Sequence, residues 1–165
     1  MRWGWFAAAV VIVLILQKTL LWALSWSSLD LFLALALFVG LNASGPQARI
    51  AAWLCGFAQD LAGEPQMLGI HSLVLGLTGF LLVWMRDSGA GQANWTRLIA
   101  AQFSAWAGQF VYLLLLGNWF APGSITAWTL FSTSFWTALL ASVLAIAVMS
   151  LPAISNRRNR VSRRW

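Results

Sequence analysis

The chain has 165 residues, of which 61% are hydrophobic and 8% charged, and its formal net charge is +6. Soluble domains carry about 25% charged residues, so this composition marks an integral membrane protein of one domain, without a polar block large enough for a soluble catalytic domain. The positive charge does not point to nucleic acid: Arg157, Arg158, Arg160, Arg163 and Arg164 supply most of it and follow directly on an apolar segment, as a tail on anionic lipid would.

Taken in order, the apolar runs predict an all-α bundle of about six transmembrane helices over residues 1–152, followed by a basic cytoplasmic tail over 153–165. Residues 1–26 hold FAAAVVIVLIL, then Gln17 and Lys18, then TLLWALSW. About 20 apolar residues rising ~1.5 Å each cross the hydrocarbon, which makes this a first span. A cleaved signal peptide is the competing reading, and Lys18 within the apolar stretch opposes it. Residues 27–41 open with SSLD, where Ser27 or Ser28 can cap a helix and Asp30 suits its positive end. Gly45-Pro46 then signals a break, so 42–49 is expected to be a loop. The second helix, and a third over 50–62, are short for a span; each requires bilayer thinning, shielding by neighbours or a re-entrant course.

The single cysteine, Cys55, lies in the third helix and reads as core packing, since it can form neither an intramolecular disulfide nor a multi-cysteine metal site. A turn over 63–66 leads to a fourth helix over 68–85. A flexible loop over 88–94, a fifth helix over 98–116 and a sixth over 127–151 complete the bundle. Six spans place both ends on one side, together with Arg2, Arg49, Arg86, Arg97 and the five tail arginines, nine of the ten basic residues. That side is cytoplasmic by the positive-inside rule. Trp3, Trp5, Trp84 and Trp95 fall near the inner interface, and Trp22, Trp26, Trp119 and Trp128 near the outer one; Trp106 and Trp136 fall mid-span and read as packing residues.

The costliest chemistry lies in WLCGFAQDLAGEPQMLG, residues 53–69, which sets Asp60 in the last turns of an apolar segment. An intramembrane acid must face the bundle interior, find a partner or reach an interface, and is by default a functional candidate. A surface carboxylate at a helix end is the plainer alternative. The topology puts Lys18, Asp30, Asp60 and Glu64 in the outer half. Lys18 is expected either to pair with Asp60 or Asp30 or to snorkel outward, being about seven residues, ~10 Å, from its helix end. His71, just after the turn, reads as a helix-start or interface residue.

No nucleophile motif, metal-ligand spacing or phosphate-cradling glycine loop accompanies these groups, so neither an enzyme nor a cofactor is expected. Small residues recur at helical spacing: Ala52, Gly56 and Gly63 beside Asp60, then Gly69, Ser72, Gly76 and Gly79, and in the sixth helix Ser134, Ala138, Ala141, Ser142 and Ala145. Such faces let helix backbones approach. Gln102 and Gln109, seven apart on the fifth helix, either bond within the bundle or join His71 in lining a ligand pocket.

The order LQKTLL, LDLFLALALFVGL and CGFAQDLAGEPQMLGIHSL resembles the rod shape-determining MreD family of bacteria over roughly residues 16–86, with Gly56, Asp60, Gly69 and Asp30 as the matching positions. The resemblance implies a non-enzymatic scaffold subunit of the cell-elongation complex in the bacterial inner membrane, with a fold similar to the substrate-binding subunits of vitamin transporters. It also implies partners: a single-span MreC-like protein and, directly or through it, a RodA-type glycosyltransferase, a penicillin-binding transpeptidase and the MreB cytoskeleton. A small-molecule binding or transport subunit, its pocket built from Lys18, Asp60, His71, Gln102 and Gln109, is the alternative.

Overall fold

The computed structural model describes residues 3–21, 29–63, 68–90, 94–119 and 126–150. The arginine tail, Glu64, Arg2, Trp22, Trp26, Ser27 and Ser28 lie outside the described residues. Those described form six α-helices and no strand: α1 (Trp3–Leu16), α2 (Leu31–Asn42), α3 (Gly45–Ala62), α4 (Ile70–Met85), α5 (Asn94–Trp119) and α6 (Ala127–Ser150). A π-helical turn, Gln17–Leu21, extends α1, and another, Arg86–Ala90, extends α4. Each carries a hydroxyl that bonds back to a carbonyl four residues earlier, Thr19 to Ile15 at 2.7 Å and Ser88 to Trp84 at 2.8 Å. The flexible loop expected over 88–94 is therefore helical as far as Ala90, and α5 begins at Asn94.

Three helical stretches, Ile70–Ser88, Trp95–Asn118 and Ala127–Met149, are long and apolar enough to cross a membrane. α2 is only 12 residues long, about 18 Å at 1.5 Å per residue, and it is apolar on every side. A helix without a polar face has to be buried. Phe32, Leu33, Ala34, Ala36, Leu37, Val39, Gly40 and Leu41 are all shielded, and α2 packs against each of the other five helices. The helix is thus shielded by its neighbours.

The predicted loop over 42–49 shrinks to Ala43 and Ser44, because α3 starts at Gly45 with Pro46 in its first turn. A proline there loses no helical hydrogen bond and has φ already set, so the break signal opens a helix here. α3 thereby reaches 18 residues.

α3 and α4 form the most extensive contact, followed by α5 with α6. Small residues set the first: a Cβ on Gly56 would lie 2.3 Å from the His71 carbonyl oxygen, and one on Gly79 2.4 Å from Ala52 Cβ. Gly76 lies under Trp53. Gly63 and Gly69 are not packing residues, since a Cβ on Gly63 would meet only its own helix and one on Gly69 nothing within 4 Å. Both belong to the turn, where Gly69 takes φ +96°, a left-handed conformation that favours glycine. The expected small face of α6 is buried throughout, at Ser134, Ala138, Ala141, Ser142 and Ala145. Trp106 is half-buried among Phe103, Phe110 and Phe131, whereas Trp136 is 58% exposed, on the outer side of α6, which corrects its reading as a packing residue.

Candidate functional site

Asp60 comes from the last turn of α3 and is 3% exposed. Gly69, which precedes the first residue of α4, has no side chain with which to cap that helix. Asp60 supplies the cap from the neighbouring helix. Its Oδ1 accepts from the His71 backbone N–H at 3.0 Å and lies 3.0 Å from His71 Nδ1. Its Oδ2 accepts from the Ser72 backbone N–H at 2.9 Å and from the Ser72 hydroxyl. The free N–H groups and positive end of α4 thus meet a carboxylate, which removes most of the cost of burying it. Gly56, one turn earlier on α3, allows the backbone approach that brings these atoms into reach.

Lys18 is not part of this arrangement. It is exposed on the π-turn after α1 and, among the described residues, forms no ion pair with Asp60 or Asp30. The α4 N-terminus already neutralises Asp60, so a buried lysine is not needed. Of the two expectations for Lys18, the exposed position fits snorkelling.

Asp30 caps α2 itself, accepting from Leu33 N–H at 3.0 Å through Oδ1. Its Oδ2 receives two long bonds, from Gln109 Nε2 at 3.4 Å and Gln59 Nε2 at 3.5 Å. Gln17 closes the other side by accepting from Leu31 N–H at 2.9 Å. These groups border a cavity of about 210 Å³, to which all six helical segments contribute: Gln17, Asp30, Gln59, His71 with Val74 and Leu75, Gln109 with Tyr112 and Leu113, and Thr133 with Thr137. His71 joins the two clusters, bonding Asp60 while its ring lies 4.9 Å from that of Tyr112.

His71 and Gln109 therefore meet as expected of pocket residues, and Gln102 does not. The seven-residue interval places the two glutamines about 10 Å apart along the helix. Gln102 instead ties α5 to α6, accepting from the Ser142 hydroxyl at 2.7 Å and reaching the Phe135 carbonyl at 3.5 Å. Sequence reasoning missed Gln59, Tyr112, Thr133 and Thr137, whose spacing carries no local signal. It also missed Arg86, counted only for its charge: Nη1 donates to the Gly40 and Ala43 carbonyls at 2.9 and 2.6 Å, closing the C-terminal end of α2. Among the described residues, no three His, Cys, Asp or Glu side chains converge as metal ligands would.

A second feature lies on the outer side of α5 and α6. Phe103 and Trp106 face Phe131 and Phe135 across an apolar groove of about 340 Å³, bounded by Leu98, Ile99, Gln102 and Leu139. The rings run on through Trp128 and Trp136, and Trp106 Nε1 is buried there without a hydrogen-bond partner. Comparison of the chain with protein-family models, curated proteins and solved structures finds no match.

Proposed function

We propose that the chain is a six-span membrane scaffold with both ends cytoplasmic, which holds the transmembrane helices of partner proteins. The observation that carries this reading is the aromatic groove between α5 and α6. It is apolar and unfilled by the chain's own side chains, and four aromatic rings line it. A groove of this kind supports helix association through close van der Waals packing, where apolar surface alone gives no preference over lipid. The shielding of α2 supports its inclusion among the spans despite its length.

Together with the resemblance to the MreD family, this makes the partner a single-span MreC-like protein of the bacterial inner membrane. The elongation synthases and MreB would be engaged directly or through it, and the basic tail would rest on anionic lipid. Photocrosslinkers placed at Ile99, Phe103, Phe131 and Phe135 in native membranes test the assignment. Adducts to a single-span protein are expected from these positions and not from Val11 or Ile12 on α1; adducts to lipid alone from all six would overturn it.

A second reading, a small-molecule binding or transport subunit, is supported by a different observation. Polar residues from every helical segment converge on one cavity, which helix packing alone does not require. The pocket differs in membership from the expected one: His71 and Gln109 stay, and Gln17, Asp30, Gln59, Tyr112, Thr133 and Thr137 replace Lys18, Asp60 and Gln102.

A further inference from the structure

The cavity beside Asp30 has two unmet electrostatic demands. The first is the carboxylate itself. Oδ1 is committed to the α2 cap, while Oδ2 is held only by two neutral amides at 3.4 and 3.5 Å, close to the limit at which a hydrogen bond has value. Among the described residues no lysine or arginine pairs with it. A carboxylate facing a cavity with such weak support favours the entry of a positive charge.

The second is Gln59 Oε1, which is buried and has no hydrogen-bond partner. Its orientation is set by chemistry: turning the amide over would point the oxygen at the Asp30 carboxylate, acceptor against acceptor. Nε2 therefore stays on Asp30, and the oxygen is left over. A buried acceptor without a donor costs about 1–3 kcal/mol, so a shift of the Gln59 amide that brings Oε1 to a donor in the cavity is favoured.

We propose that the cavity binds an ammonium group, with Asp30 Oδ2 as its counter-charge, Gln59 Oε1 as a second acceptor, and its carbon portion against Tyr112 and Leu113. A primary ammonium carries three donors and a single charge, enough for one carboxylate, one free amide oxygen and one of the two threonines, Thr133 and Thr137, that line the same cavity. The volume fits as well, since a cavity of about 150 Å³ holds a benzene ring and this one measures about 210 Å³. The Tyr112 ring adds a face that attracts cations. The proposal rests on the small-molecule reading above and adds the class of ligand. The ammonium can belong to a free amine or to an aminolipid headgroup.

The test is binding of benzylammonium, benzyl alcohol and benzoate to the purified full chain in phosphatidylcholine nanodiscs, read by calorimetry. Benzylammonium is expected to bind saturably and at least tenfold more tightly than either. Asp30→Asn keeps a good helix cap while removing the charge, so it is expected to leave the thermal midpoint in place and weaken benzylammonium at least tenfold. Gln59→Leu, which leaves Asp30 intact, is expected to weaken it severalfold. Loss of binding in nanodiscs containing phosphatidylethanolamine assigns the ammonium to a lipid headgroup; unchanged binding assigns it to a free amine, and both support the proposal. Equal affinity for benzyl alcohol would overturn the ammonium assignment and leave the small-molecule reading standing, as would displacement by equimolar sodium or potassium. Failure of all three compounds to bind the folded protein would overturn both.

Discussion

Asp60 shows what one residue reveals of itself and what it conceals. Its place in an apolar helix marked it as a group that must be satisfied, and it is. Its partners are not legible in the same way, because a sequence displays charged side chains, of which Lys18 is the evident one to pair with Asp60 or Asp30. All four groups around it belong to His71 and Ser72 at a helix start, and two of them are backbone N–H donors that no residue letter records. Asp60→Asn keeps the shape but turns an amide N–H toward donors already present. It is expected to reduce the unfolding free energy by about 1–3 kcal/mol in detergent. Gly56→Val, which forces a side chain against the His71 carbonyl, is expected to cost at least as much. Denaturant titration of both variants checks the pair, and a native-like midpoint for Gly56→Val would show that α3 and α4 can separate there.

At the level of the helix, the apolar runs and the turn signals between them were sufficient to place all six elements. Boundaries were harder, because Gly45-Pro46 carries the same letters whether it ends one helix or begins the next. The ends of α2 illustrate how a short central helix is held: Asp30 satisfies its first turn and Arg86 its last carbonyls, each with the charge that opposes the helix dipole. Arg86→Ala leaves the Gly40 and Ala43 carbonyls without these donors and is expected to lower stability by about 1–3 kcal/mol. Arg86→Lys should recover part of that, since an ammonium still donates. Equal losses for alanine and lysine would mean that planar guanidinium geometry, rather than charge, secures the end.

For the whole molecule, composition alone called for a membrane bundle, and the arginine distribution called for an orientation. The cavity was not readable in the same way: each helical segment contributes one to three residues, and their relation exists only after six segments have packed. Orientation is checked by cysteine labelling in a Cys55→Ala background. Ser88→Cys is expected to react with an impermeant maleimide only when the cytoplasmic face is opened, and Leu68→Cys from the outside of intact cells. Both positions are exposed. Reaction at both from the same side would refute the six-span arrangement.

The enclosure of α2 also bears on how the chain is made. A ribosome delivers α2 second, but one of the walls around it is α6, the last helix of the described chain. If both helices are spans, part of α2 stands uncovered until α6 has joined it. On the six-span proposal, biogenesis is expected to pass through an intermediate in which α2 is incompletely covered, relieved when α6 inserts. Chains interrupted before residue 127 should accordingly be short-lived substrates for membrane proteases, even with five of their helices already in place.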